Sequence, residues 1–208
     1  MRDLLILGNG VHACEMVEII ERYNQKNEYR FLGFVARKPD DKGLLGYPVF
    51  GLEDLDGPLR HALLIPDNTF ELEVKQRFSD RVITLIDPSC FVSRTARIGR
   101  GTVLFPHCYV GLNAVVGDFV FCLSGCIINH DVIIEEGSIL ASGVSLAGHV
   151  NIKREVYLGQ ASTVKQYLSV GEKSLVGMGA VVVRDVEPKT VVVGNPARIL
   201  KKLEDLGH

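Results

Sequence analysis

The sequence lacks the features that would carry it into a membrane or attach it to a polyanion. No stretch of its 208 residues is apolar over the roughly 18 positions a membrane span requires. The opening Met1-Arg2-Asp3 leads into an apolar run too short for a secretory leader, and no cleavage pattern follows it. Lys and Arg are nowhere clustered and the formal charge is −2, which argues against nucleic acid or an anionic membrane as the main partner and leaves small anionic ligands open. Cysteine occurs an odd number of times, at Cys14, Cys90, Cys108, Cys122 and Cys126. No disulfide framework and no metal site is therefore expected, and the expected location is cytoplasmic. With 47% hydrophobic and 23% charged residues, the chain has the composition of a folded globular protein rather than a disordered one.

What the sequence does have is an apolar residue at every sixth position from Ile86 to Val182, all Ile, Leu or Val except Cys122. On an α-helix a six-residue step turns about 600°, so these rungs would scatter over three faces and leave no stripe. On extended chain an even step keeps every rung on one side, and a strand that turns a corner every six residues closes into a solenoid. Gly99, Gly111, Gly117, Gly159, Gly171 and Gly177 follow rungs directly and are expected to supply an unusual corner φ. Four residues after the rungs from Val92 to Leu146 stands a second small or β-branched series, including Ala96, Thr102, Cys108, Ala114 and Val120. A three-sided coil of about 18 residues results, the hexapeptide β-helix, with between about five and six coils in the ladder.

Residues 1–85 read differently, as a small α/β unit with a parallel sheet. Strands are expected at Leu4 to Leu7, Tyr29 to Val35 and Ala62 to Ile65, and helices at Ala13 to Arg22 and Phe70 to Phe78, giving βαβαβ. The turn Gly8-x-Gly10-x-x-Ala13 fits the fingerprint in which glycines let a phosphate approach a helix N-terminus. The acidic residue of a full dinucleotide site is missing, because the second strand runs into Ala36 and Arg37. A mononucleotide or sugar nucleotide asks less of such a half fold.

Four motifs then carry a resemblance that covers nearly the whole chain. They are Gly8-Asn9-Gly10-Val11-His12, Asn129-His130-Asp131, Leu146-Ala147-Gly148 and Val193-Gly194-Asn195-Pro196-Ala197-Arg198. Together with the two-part organisation they resemble the hexapeptide-repeat sugar O- and N-acyltransferases, the branch of sialic acid O-acetyltransferase and the bacillosamine-pathway amino-sugar N-acetyltransferase. The resemblance implies a half-Rossmann domain at 1–85 that binds a nucleotide sugar. It further implies a left-handed parallel β-helix at 86–208, a homotrimer, and acetyl-CoA as donor in the groove between neighbouring solenoids, without a metal. The tail from Pro196 to Leu203, with Ile199, Leu200 and Leu203 at helical spacing, is expected to cap the last coil.

Acyl transfer needs a base for the nucleophile's proton and a donor for the developing oxyanion. His130, outside the rung series and beside Asp131, suits the first task; on residues alone it reads equally as a surface imidazole. Gly148 lies eighteen positions on, at the same corner one coil along, where an open amide would suit the second task; on spacing alone it is equally a corner glycine. The resemblance makes His130 the base, Asp131 its orienting carboxylate and Gly148 the oxyanion donor. It also implies that Gly10, Val11, His12, Arg37 and Asn68 face the acceptor, and that Ile139, Gly148, Gln160, Gly177, Met178 and Gly179 line the acetyl-CoA groove. His61, His107 and His149 are left unassigned. Departures at Ala36, Arg37 and Pro66 fall where the nucleotide would sit. The leading expectation is N-acetylation of a nucleotide-linked amino sugar; a sugar hydroxyl as acceptor and a non-catalytic scaffold are the alternatives.

Overall fold

The short apolar run Leu4 to Leu7 becomes the centre of a sheet in the computed structural model, which describes residues 1–23 and 28–203. Strand β1 (Arg2–Leu7) is parallel to β2 (Tyr29–Ala36) on one side and to β5 (Leu63–Pro66) on the other. Helix α1 (Val11–Tyr23) connects β1 to β2 and buries Met16, Val17, Ile19 and Ile20. A run of Leu and Ile with no polar alternation suits such a strand, because both of its faces are covered.

The passage from β2 to β5 departs from the expected βαβαβ order. It is not a helix but an antiparallel pair, β3 (Asp40–Leu44) and β4 (Tyr47–Gly51), followed by a short 3-10 turn at Leu52–Leu55. The sheet order is β3-β4-β2-β1-β5, with β4 parallel to β2. The segment has no apolar stripe at helical spacing, and Gly43, Leu45 and Gly46 hold φ of +69°, +51° and +80°, which turns the chain back on itself. Helix α2 is confined to Leu72–Arg77, shorter than Phe70 to Phe78. By its internal contacts the chain divides into Met1–Pro88 with Arg100–Val103, and Ser89–Gly99 with Leu104–His208.

The second unit is a parallel β-solenoid. Two-residue strands stack into three sheets, one holding the rungs Val92, Val110, Ile128, Leu146, Val164 and Val182. The second holds Ile98, Val116, Ile134, Ile152 and Val170. The third includes Cys122, Leu140, Leu158, Val176 and Val192. From Leu104 to Val182 every rung is at most 1% exposed. Burying an Ile, Leu or Val side chain contributes roughly 1.5–3 kcal/mol before ordering entropy, so the repeat is its own core.

The post-rung glycines owe their place to space, not to φ. A Cβ on Gly111 would lie 2.8 Å from the His130 nitrogen of the next coil, and one on Gly159 would lie 2.6 Å from that of Met178. The left-handed backbone falls instead on the third residue after each rung, from Gly101 to Gly179, including Asn113, Asp131, His149 and Tyr167 at φ of 57°, 57°, 62° and 64°. The ladder stops at Val182 because the next turn is tighter: Val170 bridges Val186 and Val176 pairs with Val192, each two residues short of a full coil. The tail is a strand and not a helical cap. Arg198–Lys202 pairs antiparallel with Thr190–Val193 and leaves Ile199 and Leu200 exposed, because the open edge of a Val-rich strand offers unpaired backbone groups that a returning chain satisfies.

Candidate active site

One corner of the solenoid gathers the chemistry. It follows the first sheet, where the second and third residues after successive rungs stack in two columns. Leu112, His130 and Gly148 form one column; Asn113, Asp131, His149 and Tyr167 form the other. The columns are tied by backbone bonds in which Asp131 N–H donates to Leu112 O at 2.8 Å, His149 N–H to His130 O at 3.1 Å and Tyr167 N–H to Gly148 O at 3.2 Å. Asp and His are among the non-glycine residues best suited to the left-handed φ this position imposes.

The eighteen-residue spacing brings His130, Asp131 and Gly148 together. His130 Nδ1 lies 2.9 Å from Asp131 Oδ2, and Asn113 Nδ2 donates to Asp131 Oδ1 at 3.1 Å. The hydrogen bonds from His130 and then from Asn113 hold the Asp131 carboxyl below the usual carboxylate range. An ionised carboxylate only accepts, so it fixes the Nδ1–H tautomer of His130 and leaves Nε2 as the free basic nitrogen. That nitrogen lies against Gly148, where a Cβ would come within 2.6 Å of it and within 2.5 Å of Cε1. Gly148 is glycine because the imidazole occupies its side-chain space. Its neighbours Ala147 and His149 donate to Val164 O and His130 O, and the Gly148 N–H between them stands outside this ladder of coil-to-coil bonds among the described residues.

His149, unassigned from sequence, belongs to the same cluster. Its Nε2 is 3.8 Å from Asp131 Oδ2, its ring is edge-on to His130 at 5.2 Å, and it stacks on Tyr167 at 4.7 Å with planes 8° apart. The signal that would have found it is the same spacing that found Gly148, applied from Asp131 in both directions: Asn113, His149 and Tyr167.

The expected acetyl-CoA residues do not share one corner. Gly148 follows a rung of the first sheet, whereas Gln160, Gly177, Met178 and Gly179 follow rungs of the third sheet, and Ile139 lies on that sheet's outer side. Within one solenoid these two sets occupy opposite edges of the first sheet. Met178 is 75% exposed.

In the N-terminal unit an open cleft of about 420 Å³ is lined by Asn9, Ala36, Arg37, Lys38, Thr69 and Phe70. Of the expected acceptor residues, Arg37 lines it, pairing with Glu71 and lying 5.2 Å over the Phe70 ring; Gly10, Val11, His12 and Asn68 are not among its walls. His12 opens α1 with Nδ1 3.0 Å from Glu15 Oε2. Sequence reasoning passed over the buried pair beneath the glycine turn, Asp67 and Lys75, which are 0% and 6% exposed. Asp67 Oδ1 accepts from the Thr69 N–H at 2.7 Å and its hydroxyl at 2.6 Å. A Cβ on Gly8 would fall 1.9 Å from Asp67 Cγ, and one on Gly10 would fall 2.8 Å from Thr69 Cγ2. The close approach these glycines permit is thus to the protein's own side chains. Burial pushes the Asp67 carboxyl up and lowers Lys75 to about 8.

This architecture has solved counterparts. Over 96% of its length the chain superposes on the whole of the acetyltransferase domain of PglB from Neisseria gonorrhoeae FA1090, with TM-score 0.85 and 26% identity. In fold and repeat the chain is similar to hexapeptide-repeat acyltransferases. The same PglB domain is also solved in complex with acetyl coenzyme A, at TM-score 0.83. PerB from Caulobacter crescentus, solved with CoA and GDP-perosamine, shares the fold at TM-score 0.84 and 24% identity, over 97% of this chain and 98% of that one. In sequence, 64 residues are 38% identical to a putative acetyltransferase of Schizosaccharomyces pombe, 31% of each chain. The match spans less than a third of the length of the curated relatives of this family, and no family profile matches the chain. Among the described residues no helix is long and apolar enough to cross a membrane.

Proposed function

We propose that this protein transfers the acetyl group of acetyl-CoA to the amino group of a nucleotide-linked amino sugar. The observation that carries the reading is the contact of one imidazole with both partners a direct acyl transfer needs: His130 Nδ1 held by Asp131 at 2.9 Å, and its free nitrogen set against Gly148. In the proposed step Nε2 of His130 takes a proton from the acceptor amine as it attacks the thioester carbonyl. The Gly148 N–H stabilises the oxyanion, and collapse of the tetrahedral intermediate expels the CoA thiolate. Asp131 keeps the ring in the required tautomer and balances its positive charge after proton uptake. The cysteines take no part: Cys108, Cys122 and Cys126 are buried, and burial raises the Cys122 thiol well above its ordinary range.

The separation of Gly148 from Gln160 and Met178 supports a donor groove between two copies of the chain, each contributing one edge, in a homotrimer of left-handed solenoids. The nucleotide is assigned to the N-terminal cleft of a half-Rossmann unit, where Arg37 and Lys38 suit a phosphate or a base acceptor edge.

The test is thiol release from acetyl-CoA with a panel of UDP-, dTDP- and GDP-linked amino sugars and free sialic acid. Release with an amino sugar, lowered by about 10²–10⁴-fold in His130→Ala with CoA affinity kept within a few fold, is the expected result. Release with sialic acid alone moves the acceptor to a hydroxyl, and near-native turnover of His130→Ala removes the base.

A further inference from the structure

The corner that carries the proposed base also has the donor set and the spacing of a transition-metal site. His130, Asp131 and His149 each offer one ligand atom, all within 4.8 Å of one another. The separations to the shared carboxylate oxygen are 2.9 Å for His130 Nδ1 and 3.8 Å for His149 Nε2. Two ligands bound to one zinc ion at about 2.1 Å with tetrahedral angles stand about 3.4 Å apart, between those two values, and the two imidazole ligand atoms, within 4.8 Å of each other, close on the ion by side-chain rotation. All three side chains reach solvent, at 55%, 36% and 41% exposure, which leaves an entry path.

Neighbours hold two of the three ligands in place. Asn113 occupies Oδ1 of Asp131 and leaves Oδ2 to the ion, and the Tyr167 ring fixes the plane of His149. Such outer partners orient first ligands in metal sites and raise their affinity. Two imidazoles with one carboxylate favour zinc among the available divalent ions over calcium or magnesium, which prefer oxygen alone.

We infer that this corner binds one zinc-type divalent ion through His130, Asp131 and His149, with water in the fourth position, and that the ion inhibits acetyl transfer. The inhibition has a defined chemistry. In the resting dyad the single proton of the neutral His130 ring sits on Nδ1 and the lone pair on Nε2. Coordination at Nδ1 needs a lone pair on that nitrogen, so the ring's one proton moves from Nδ1 to Nε2, with no net change in protons. Nε2 then donates where a base must accept. The ion is an inhibitor, not a cofactor. Binding stands on geometry alone; only the inhibition rests on the role proposed for His130.

The experiment is equilibrium dialysis of the full chain against zinc chloride, repeated with cobalt and followed by absorption spectroscopy. The expected result is one equivalent per chain and a tetrahedral cobalt spectrum without a thiolate charge-transfer band, which separates this site from the cysteines. His149→Asn, whose new residue tolerates the φ of 62°, is expected to weaken binding at least about tenfold with circular dichroism unchanged. Zinc is expected to inhibit thiol release by the native chain and not by His149→Asn. Unchanged zinc affinity in that variant, or a thiolate band, overturns the site. One equivalent bound without loss of turnover overturns the tautomer block. Absence of acetyl transfer under any condition would count against the proposed function and leave the dialysis result to decide the site.

Discussion

Glycine is used in opposite ways in the two units, and the contrast separates structure from chemistry. Gly8 in the N-terminal unit is pressed by the buried Asp67 carboxylate, and Gly10 by the methyl of Thr69, whose N–H and hydroxyl donate to that carboxylate. In the solenoid Gly111, Gly117 and Gly159 are pressed by the backbone of the next coil. Gly148 alone among these is pressed by a solvent-facing imidazole. A repeat makes such a departure visible, because every other coil states what the corner needs without it.

The largest effect that sharpens this comparison is on stability. Gly8→Ala puts a methyl 1.9 Å from Asp67 Cγ at a backbone φ of +141°, a region open essentially only to glycine. A loss of about 3–5 kcal/mol is expected from clash and strain combined. Hydrogen exchange read by peptide should show it confined to 1–23 and 28–88, with the rungs 104–182 protected as in the native chain; equal loss in both would mean that the units unfold as one.

Gly148→Ala is expected to show the reverse pattern. The added Cβ meets only the far end of the His130 side chain, which is half exposed and free to swing aside, so the coil keeps its stability within about 1 kcal/mol. Displacing the base from its place costs catalysis about 10²-fold. A kcat loss with unchanged thermal midpoint supports the assignment; an unfolded variant would return Gly148 to a purely structural role.

The buried pair in the N-terminal unit sets a pH dependence of smaller size. Lys75 is lowered to about 8 from an ordinary value of 10.5, chiefly by burial. The unfolded chain therefore binds more protons than the folded one between those values, and stability rises as pH goes from about 8 towards 10.5. The span corresponds to at most about 3 kcal/mol. Urea midpoints measured across this range should climb for the native chain and lose that component of the slope in Lys75→Met; parallel profiles would show that the lysine is not titrating there.

How much of this was legible in the sequence follows from the same contrast. The rungs were readable because a six-residue period is incompatible with a helix and each rung repeats the same burial. Gly148 was readable because it lies one coil from His130. The hairpin of β3 and β4 was not, since it depends on left-handed turns at Gly43, Leu45 and Gly46 with no period to announce them. Asp67 and Lys75 were missed because a charged residue beside a polar one, Asn68 or Gln76, reads as surface, and only the fold buries both. His149 carried its signal in plain spacing from Asp131, but the post-rung glycines drew attention to the wrong residue for the corner φ.

The smallest effect tests whether the second column of the corner serves the first. Asn113→Gly keeps the φ of 57° at no steric cost and removes the amide that donates to Asp131 Oδ1. One hydrogen bond to a solvent-exposed carboxylate is lost, so turnover should fall only about two- to tenfold. Its direction on pH is the sharper readout. The bonds from His130 and Asn113 both hold the Asp131 carboxyl low. Without the second, the carboxyl rises towards its ordinary value, and the part of the acid limb of kcat/KM that reflects protonation of Asp131 moves to higher pH. A uniform loss at every pH would mean that Asn113 acts only on the coil, whereas a shifted limb with a small loss at the optimum ties the column of third-position residues to the state of the dyad beside it.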